Sequence, residues 1–152
     1  MVPVSRLHKV VLIDDNETTN FLNERLLKRL GVTEEIVVFS DAIEGFRHLW
    51  GSAAEGGGAT GPELIFVDLR MPGLDGVEFL ELYRSLALPV RQRTKLAVLT
   101  TSMLPTDRAR VAAYPEVEYL VKPLSREKIE RLFAEYFPDV QLPAIAPTVT
   151  PA

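Results

Sequence analysis

The chain contains no cysteine. Disulfides, zinc–thiolate sites and thiol catalysis are thereby excluded, and the absence suits a reducing compartment. Histidine is nearly as scarce. His8 and His48 stand apart from each other, and each reads as a surface or helix-packing residue. Positive charge is in deficit, with 17 Lys and Arg against 21 Asp and Glu and a formal net charge of −4 at pH 7. That balance leaves no basic footprint for nucleic acid, which calls for Lys and Arg clustered on one face. No apolar run approaches the roughly 20 residues that a membrane helix needs. Residues 1–9 lack the apolar centre of a signal peptide. The expectation is a cytoplasmic protein with no membrane partner. Its 152 residues suit one domain with a full core.

What is present is a series of short apolar runs. KVVLI at 9–13, EIVVF at 35–39, ELIFV at 63–67 and KLAVL at 95–99 are rich in Val, Ile and Leu, and VEYLV at 117–121 is a weaker fifth. The first four are nearly continuous in apolar character, as strands covered on both faces of a parallel sheet are. Helical spacing fills the intervals. Residues 17–30 place Phe21, Leu22, Leu26, Leu27 and Leu30 on one stripe, with Gly31 as the stop. Residues 41–50 group Ala42, Phe46, Leu49 and Trp50 behind Asp41 as N-cap. Residues 75–86 carry Val77, Phe79, Leu80, Leu82 and Tyr83, and residues 105–113 form a short polar helix. Residues 125–137 bury Ile129, Leu132, Phe133, Tyr136 and Phe137. Strand and helix thus alternate five times, which predicts a five-stranded parallel sheet with helices on both faces.

Two segments fall outside the repeat. GSAAEGGGATGP at 51–62 reads as a flexible connection. No Lys-Ser/Thr follows its glycines, and they precede a strand, so a nucleotide-binding loop is not expected there. Residues 138–152 hold four of the eleven prolines and read as a tail. The expected organisation is one domain over 1–137 and a tail over 138–152, without an output domain.

In such a sheet, ligands bind outside the carboxyl ends of the strands. The first run ends in Asp14, Asp15 and Asn16, the third in Asp68, the fourth in Thr100, Thr101 and Ser102, and the fifth in Lys122 and Pro123. Each has an ordinary explanation. Asp15 or Asn16 could cap the first helix, Asp68 could serve a turn, Thr100 and Thr101 suit a strand, Ser102 or Thr106 could cap the next helix, and Lys122 could be solvated. Only the adjacent acids Asp14 and Asp15, directly after a buried strand, stand out singly. Together the group is harder to explain without a ligand. Three carboxylates in one pocket repel by about 1 kcal/mol per pair in water and by more when partly buried. A hard divalent cation such as Mg²⁺, which takes oxygen ligands and keeps several waters, relieves that repulsion. A cation, a lysine and a hydroxyl beside a carboxylate suit phosphoryl transfer, in which positioning and charge neutralisation do most of the catalysis.

VVLIDDN, FVDLRMPGLDG, AVLTTS and YLVKP, in this order and spacing, resemble the receiver domain of bacterial response regulators, over about residues 9–137. The segments LTTS and VKPLS are similar to those of single-domain members. The resemblance implies a flavodoxin-like (βα)5 fold and a phosphorylation switch. It makes Asp68 the phosphoacceptor, attacking the phosphorus of a phosphohistidine on a sensor histidine kinase or a histidine phosphotransfer protein. It makes Asp15 a direct Mg²⁺ ligand, Asp14 a ligand through water and the main-chain carbonyl of Arg70 a further ligand. Lys122 pairs with the phosphoryl oxygens. Thr100 is the switch hydroxyl and Tyr119 the switch aromatic. Arg70 and Ser102 occupy positions that tune phosphoryl loss, and Thr101 stands where a smaller residue is common and narrows access to Asp68. The resemblance further implies a downstream protein partner, read through the fourth helix, fifth strand and fifth helix, or a homodimer through the same face. The protein then catalyses nothing beyond its own phosphorylation and dephosphorylation.

The alternative from another class is a small phosphatase or phosphotransferase with Asp14 as nucleophile. Haloacid-dehalogenase-type hydrolases also place an aspartate after a first strand. They want a second aspartate two positions on, where this chain has Asn16. A third reading is a binding module that has lost phosphorylation. That usually entails loss of an acid, the acceptor or the lysine, all of which are present.

Overall fold

A computed structural model describes residues 6–51 and 61–142. The elements run β1 (Leu7–Ile13), α1 (Glu17–Leu30), β2 (Thr33–Phe39), α2 (Ala42–Trp50), β3 (Leu64–Val67), α3 (Gly76–Arg84), α4 (Leu88–Gln92), β4 (Lys95–Thr100), α5 (Pro105–Ala112), β5 (Glu118–Val121) and α6 (Arg126–Tyr136). The strands form one parallel sheet in the order β2-β1-β3-β4-β5.

Alternation along the three inner strands explains the unbroken apolar runs. Val11, Ile13, Ile65, Val67, Leu96 and Val98 point to one face, where they meet Trp50 of α2, Phe79, Leu80 and Tyr83 of α3, and Val111 of α5. Val10, Leu12, Leu64, Phe66, Ala97 and Leu99 point to the other, against Leu27 and Leu30 of α1 and Ile129, Leu132 and Phe133 of α6. Both faces are covered, so every position of these strands is selected for apolar bulk. The edge strands β2 and β5 are only partly buried. The core on the α1 and α6 face also extends beyond the boundary expected at residue 137, since Val140 is buried in it and Leu142 packs against it.

The helix starts follow local chemistry. Asn16 caps α1 by accepting the Thr19 N–H, and Gly31, at φ 63°, ends it. Asp41 caps α2, and Ser125 caps α6. Before α5, neither Ser102 nor Thr106 holds the cap position. Leu104 does, and the Ser102 hydroxyl accepts the Leu104 N–H from two residues upstream.

Two expectations fail here. The apolar stripe expected of α1 includes Phe21 and Leu22, yet both are exposed, at 59% and 56%, while Asn20 and Asn23 are buried in their place. Leu82 of α3 likewise turns toward solvent. The short helix α4 is an addition to the fivefold repeat. It is tethered by Tyr83, whose hydroxyl lies 2.7 and 2.8 Å from the carbonyls of Arg91 and Thr94.

Candidate functional site

The sheet carries its pairing one step past the ends of the strands, and this sets the site. The Asp14 N–H donates to the Phe39 carbonyl at 3.1 Å, the Asp68 N–H to Ile13 at 2.9 Å and the Lys122 N–H to Thr100 at 2.7 Å. Backbone hydrogen bonds therefore fix the position of each residue that follows an apolar strand. Carboxylate oxygens of Asp14, Asp15 and Asp68 lie within 4.8 Å of one another. Asp14 and Asp68 are buried, and Asp15 is exposed. The Lys122 ammonium stands 2.7 Å from Asp14 Oδ2 and 3.6 Å from Asp68 Oδ1. The bond between Lys122 and Pro123 is cis.

Burial pushes the Asp68 carboxyl up to about 6. The charge of Asp14 adds to this, while Lys122 and a hydrogen bond from the Arg70 N–H act the other way. A carboxyl that resists ionisation so strongly sits where a further positive charge would be favourable. The set of three carboxylates is all hard oxygen, the donor type that suits Mg²⁺. Asp14 is held at both oxygens, since Oδ1 accepts the Asn16 N–H at 2.9 Å and Oδ2 meets Lys122. Such an arrangement fits a fixed charge better than an attacking nucleophile.

The loop after β3 is explained residue by residue. Met71 packs into the core on the face of the sheet that carries Val11 and Ile13. Gly73 takes φ 83°, in the left-handed region that favours glycine. Asp75 and Glu78 form a reciprocal capping box at the start of α3. Gly76 passes so close to the end of β3 that a Cβ there would lie 2.6 Å from the Asp68 carbonyl oxygen. The motif from Asp68 to Gly76 is thus a device for bringing a helix start against the back of Asp68.

Thr100 is 1% exposed, and its hydroxyl oxygen accepts the Ser102 N–H at 3.1 Å. Tyr119 is half-buried. Its hydroxyl donates to the Ser102 carbonyl at 2.7 Å, and the Arg108 guanidinium lies 4.8 Å from its ring centre. Thr101 is exposed. The Arg70 side chain is extended along the surface to Asp107, at 2.6 Å.

Three polar residues at this site are not evident in the sequence. Asn20 donates its amide to the Asp14 carbonyl at 2.7 Å, and its buried Oδ1 has no partner among the described residues. Asn20 and Asn23 line a small cavity together with Asp14 and Asp68. Asp107 is buried at the start of α5, where bonds from Ser102 and Arg70 hold its carboxyl below the usual range. The spacing of Asn20 and Asn23 with Leu27 and Leu30 is the available signal for the first two.

Residues 10–134 match the model of the response regulator receiver domain. The chain belongs to the response regulator receiver family. It is 35% identical to a probable methanogenesis regulatory protein, FilR2, of Methanothrix harundinacea, over 83% of this chain and 79% of that one. It is 32% identical to protein PilG of Pseudomonas aeruginosa, over 80% and 81% of the two chains. A two-component response regulator from Cytophaga hutchinsonii has the same fold, with a TM-score of 0.75 at 28% identity, covering 87% of this chain and 98% of that one. The receiver domain of this chain is accordingly a phosphoacceptor signalling switch of the two-component type. Nothing in these likenesses favours a phosphatase. Among the described residues, no helix is long and apolar enough to cross a membrane.

Proposed function

We propose that Asp68 is the phosphoacceptor of this receiver. The reading is carried by one observation: a buried carboxylate at the end of β3, pushed up to about 6, with a lysine ammonium 3.6 Å away. An oxygen of Asp68 attacks the phosphorus of a phosphohistidine. The O–P bond forms as the N–P bond breaks, and the electron pair stays with the histidine nitrogen. Lys122 faces the phosphoryl oxygens, and the Thr100 hydroxyl donates to one of them. Asp14, Asp15, Asp68 and the Arg70 carbonyl would hold Mg²⁺, which when bound neutralises charge on the phosphoryl group. The phosphoryl donor is a sensor histidine kinase or a histidine phosphotransfer protein in the cytoplasm. Output passes through Thr100 and Tyr119 to α5, β5 and α6, and is read there by a downstream protein or by a second copy of the chain. No nucleic acid takes part, and no turnover of an external substrate is proposed.

Incubation with acetyl phosphate tests this. The expected product is one acyl phosphate per chain, formed with Mg²⁺ and not with chelator. Asp15→Asn should need far more Mg²⁺ for the same labelling. Release of phosphate from excess acetyl phosphate that persists in Asp68→Asn would indicate a phosphatase working through another residue, and an undiminished Mg²⁺ response in Asp15→Asn would remove that residue from the ligand set.

A further inference from the structure

The acceptor loop and the switch loop are joined by a residue to which none of the roles above is given. Asp107 lies in the first turn of α5 and is 2% exposed. Its Oδ2 accepts two bonds, from the Arg70 guanidinium at 2.6 Å and from the Ser102 hydroxyl at 2.5 Å. The Arg110 guanidinium lies 3.9 Å from its other oxygen. At the far ends of these contacts stand the residues of the site. The Arg70 backbone N–H acts on the Asp68 carboxylate and favours its charged form. The Ser102 N–H bonds to Thr100 Oγ1, and the Ser102 carbonyl accepts the Tyr119 hydroxyl. One carboxylate thus connects the residue beside the acceptor with both proposed switch residues. The Arg70 side chain is otherwise 63% exposed, so the contact with Asp107 is what draws it to this position.

We propose that Asp107 is a positioning residue of the phosphoacceptor site that acts through Arg70: it holds the guanidinium against α5 while Asp68 is free, and competes for it with the phosphoryl group once Asp68 is occupied. The inference rests on the reading of Asp68 as acceptor. A phosphoryl group brings up to about two negative charges and three strong acceptor oxygens. It would appear two residues from Arg70, whose planar fork of donors suits phosphate. When the guanidinium moves to the phosphoryl group, Asp107 loses its nearest cationic partner, and Ser102 no longer shares Oδ2 with Arg70. The first turn of α5 and the hydroxyl contact of Tyr119 are then free to shift. By linkage, the hold of Asp107 on Arg70 weakens phosphoryl binding by the same factor that phosphoryl binding weakens that hold.

A four-protein comparison of fluoroberyllate affinity in the presence of Mg²⁺ tests the competition. The proteins are wild type, Asp107→Asn, Arg70→Gln and the double variant. Asp107→Asn should bind fluoroberyllate at least about fivefold more tightly than wild type, the lower end of typical allosteric coupling. In the Arg70→Gln background the same substitution should change affinity by less than about twofold, because the residue through which it acts is gone. An Asp107 that merely supports α5 would lower the melting temperature and change affinity equally in both backgrounds, which would overturn the proposal. A spectrum of wild type needs no variant to fold: the Arg70–Asp107 contact should be lost on adding fluoroberyllate, and its persistence in the complex would contradict the inference. If wild type binds fluoroberyllate but the comparison is flat, the inference fails while the acceptor reading stands. If wild type does not bind it, both fail.

Discussion

Lys122→Met should lower the stability of the metal-free protein at neutral pH by about 3 kcal/mol and abolish capture of a phosphoryl group. The Lys122 side chain is 15% exposed and contacts two carboxylates that are buried further still. Removing one partner of a buried ion pair costs about 3–5 kcal/mol, because the other is left uncompensated. The lower end applies here because the site opens to solvent at Asp15. For a chain of this size the loss corresponds to a fall in melting temperature of about 6–12 °C. The deficit should shrink as pH falls through about 6, since protonation of Asp68 removes one of the stranded charges. Added Mg²⁺ should recover part of the stability by binding the native state, but not the phosphoryl capture. Thermal unfolding of the variant against pH and Mg²⁺ checks all three. A melting temperature equal to that of wild type in chelator would mean that Lys122 does not hold the site together.

Asp68→Asn should act in the opposite direction on stability. In the folded chain the Asp68 carboxyl is raised from its ordinary value of 3.8 to about 6. Between those values the native state holds a proton that the unfolded chain has released. Its stability therefore falls as pH rises through the window, and the cost is fully present above about pH 6. Each pH step of one between the two values costs about 1.4 kcal/mol. Solvent entering beside Asp15 screens part of this, which leaves a cost of about 2 kcal/mol for the ionised Asp68 in the metal-free protein at neutral pH. An asparagine carries no such cost. Asp68→Asn should then exceed wild type in stability by about that amount at pH 7, and match it near pH 4. The comparison isolates Asp68, because Asp107, with its carboxyl held low, contributes the opposite slope to both proteins. Saturating Mg²⁺ should narrow the gap, since wild type gains more from the metal. Denaturant unfolding at several pH values, with chelator, checks this. A gap that stays constant from pH 4 to pH 7 would contradict the assigned burial of the Asp68 charge.

Both predictions depend on residues legible in the sequence, and the reason is geometric. Each apolar run ends where its strand leaves the core, and the next residue is still held by the sheet. Asp14, Asp68 and Lys122 are those next residues, so reading the ends of the runs amounts to reading the site. The inner strands are legible because both of their faces are covered. Apolar spacing locates the helices, and it misleads where the covered surface is polar. The N-terminal half of α1 lies over the carboxylate pocket, so Asn20 and Asn23 turn inward while Phe21 and Leu22 turn out. Helix α4 has no apolar stripe to betray it, because its position is set by the hydroxyl of Tyr83. In the sequence Asp107 is one more polar residue in a polar helix. Its partner Arg70 is 37 positions away, and only the fold brings the two together.

The central claim is that a single side chain, Asp68, receives the phosphoryl group. Wild-type protein treated with acetyl phosphate and Mg²⁺, then with borohydride, tests it directly, because borohydride reduces an acyl phosphate and leaves a free carboxylate unchanged. Peptide mass spectrometry should find residue 68 converted to homoserine, with Asp14 and Asp15 unmodified. Conversion at Asp14 or Asp15, or an Asp68→Asn protein labelled as fully as wild type, would contradict the account.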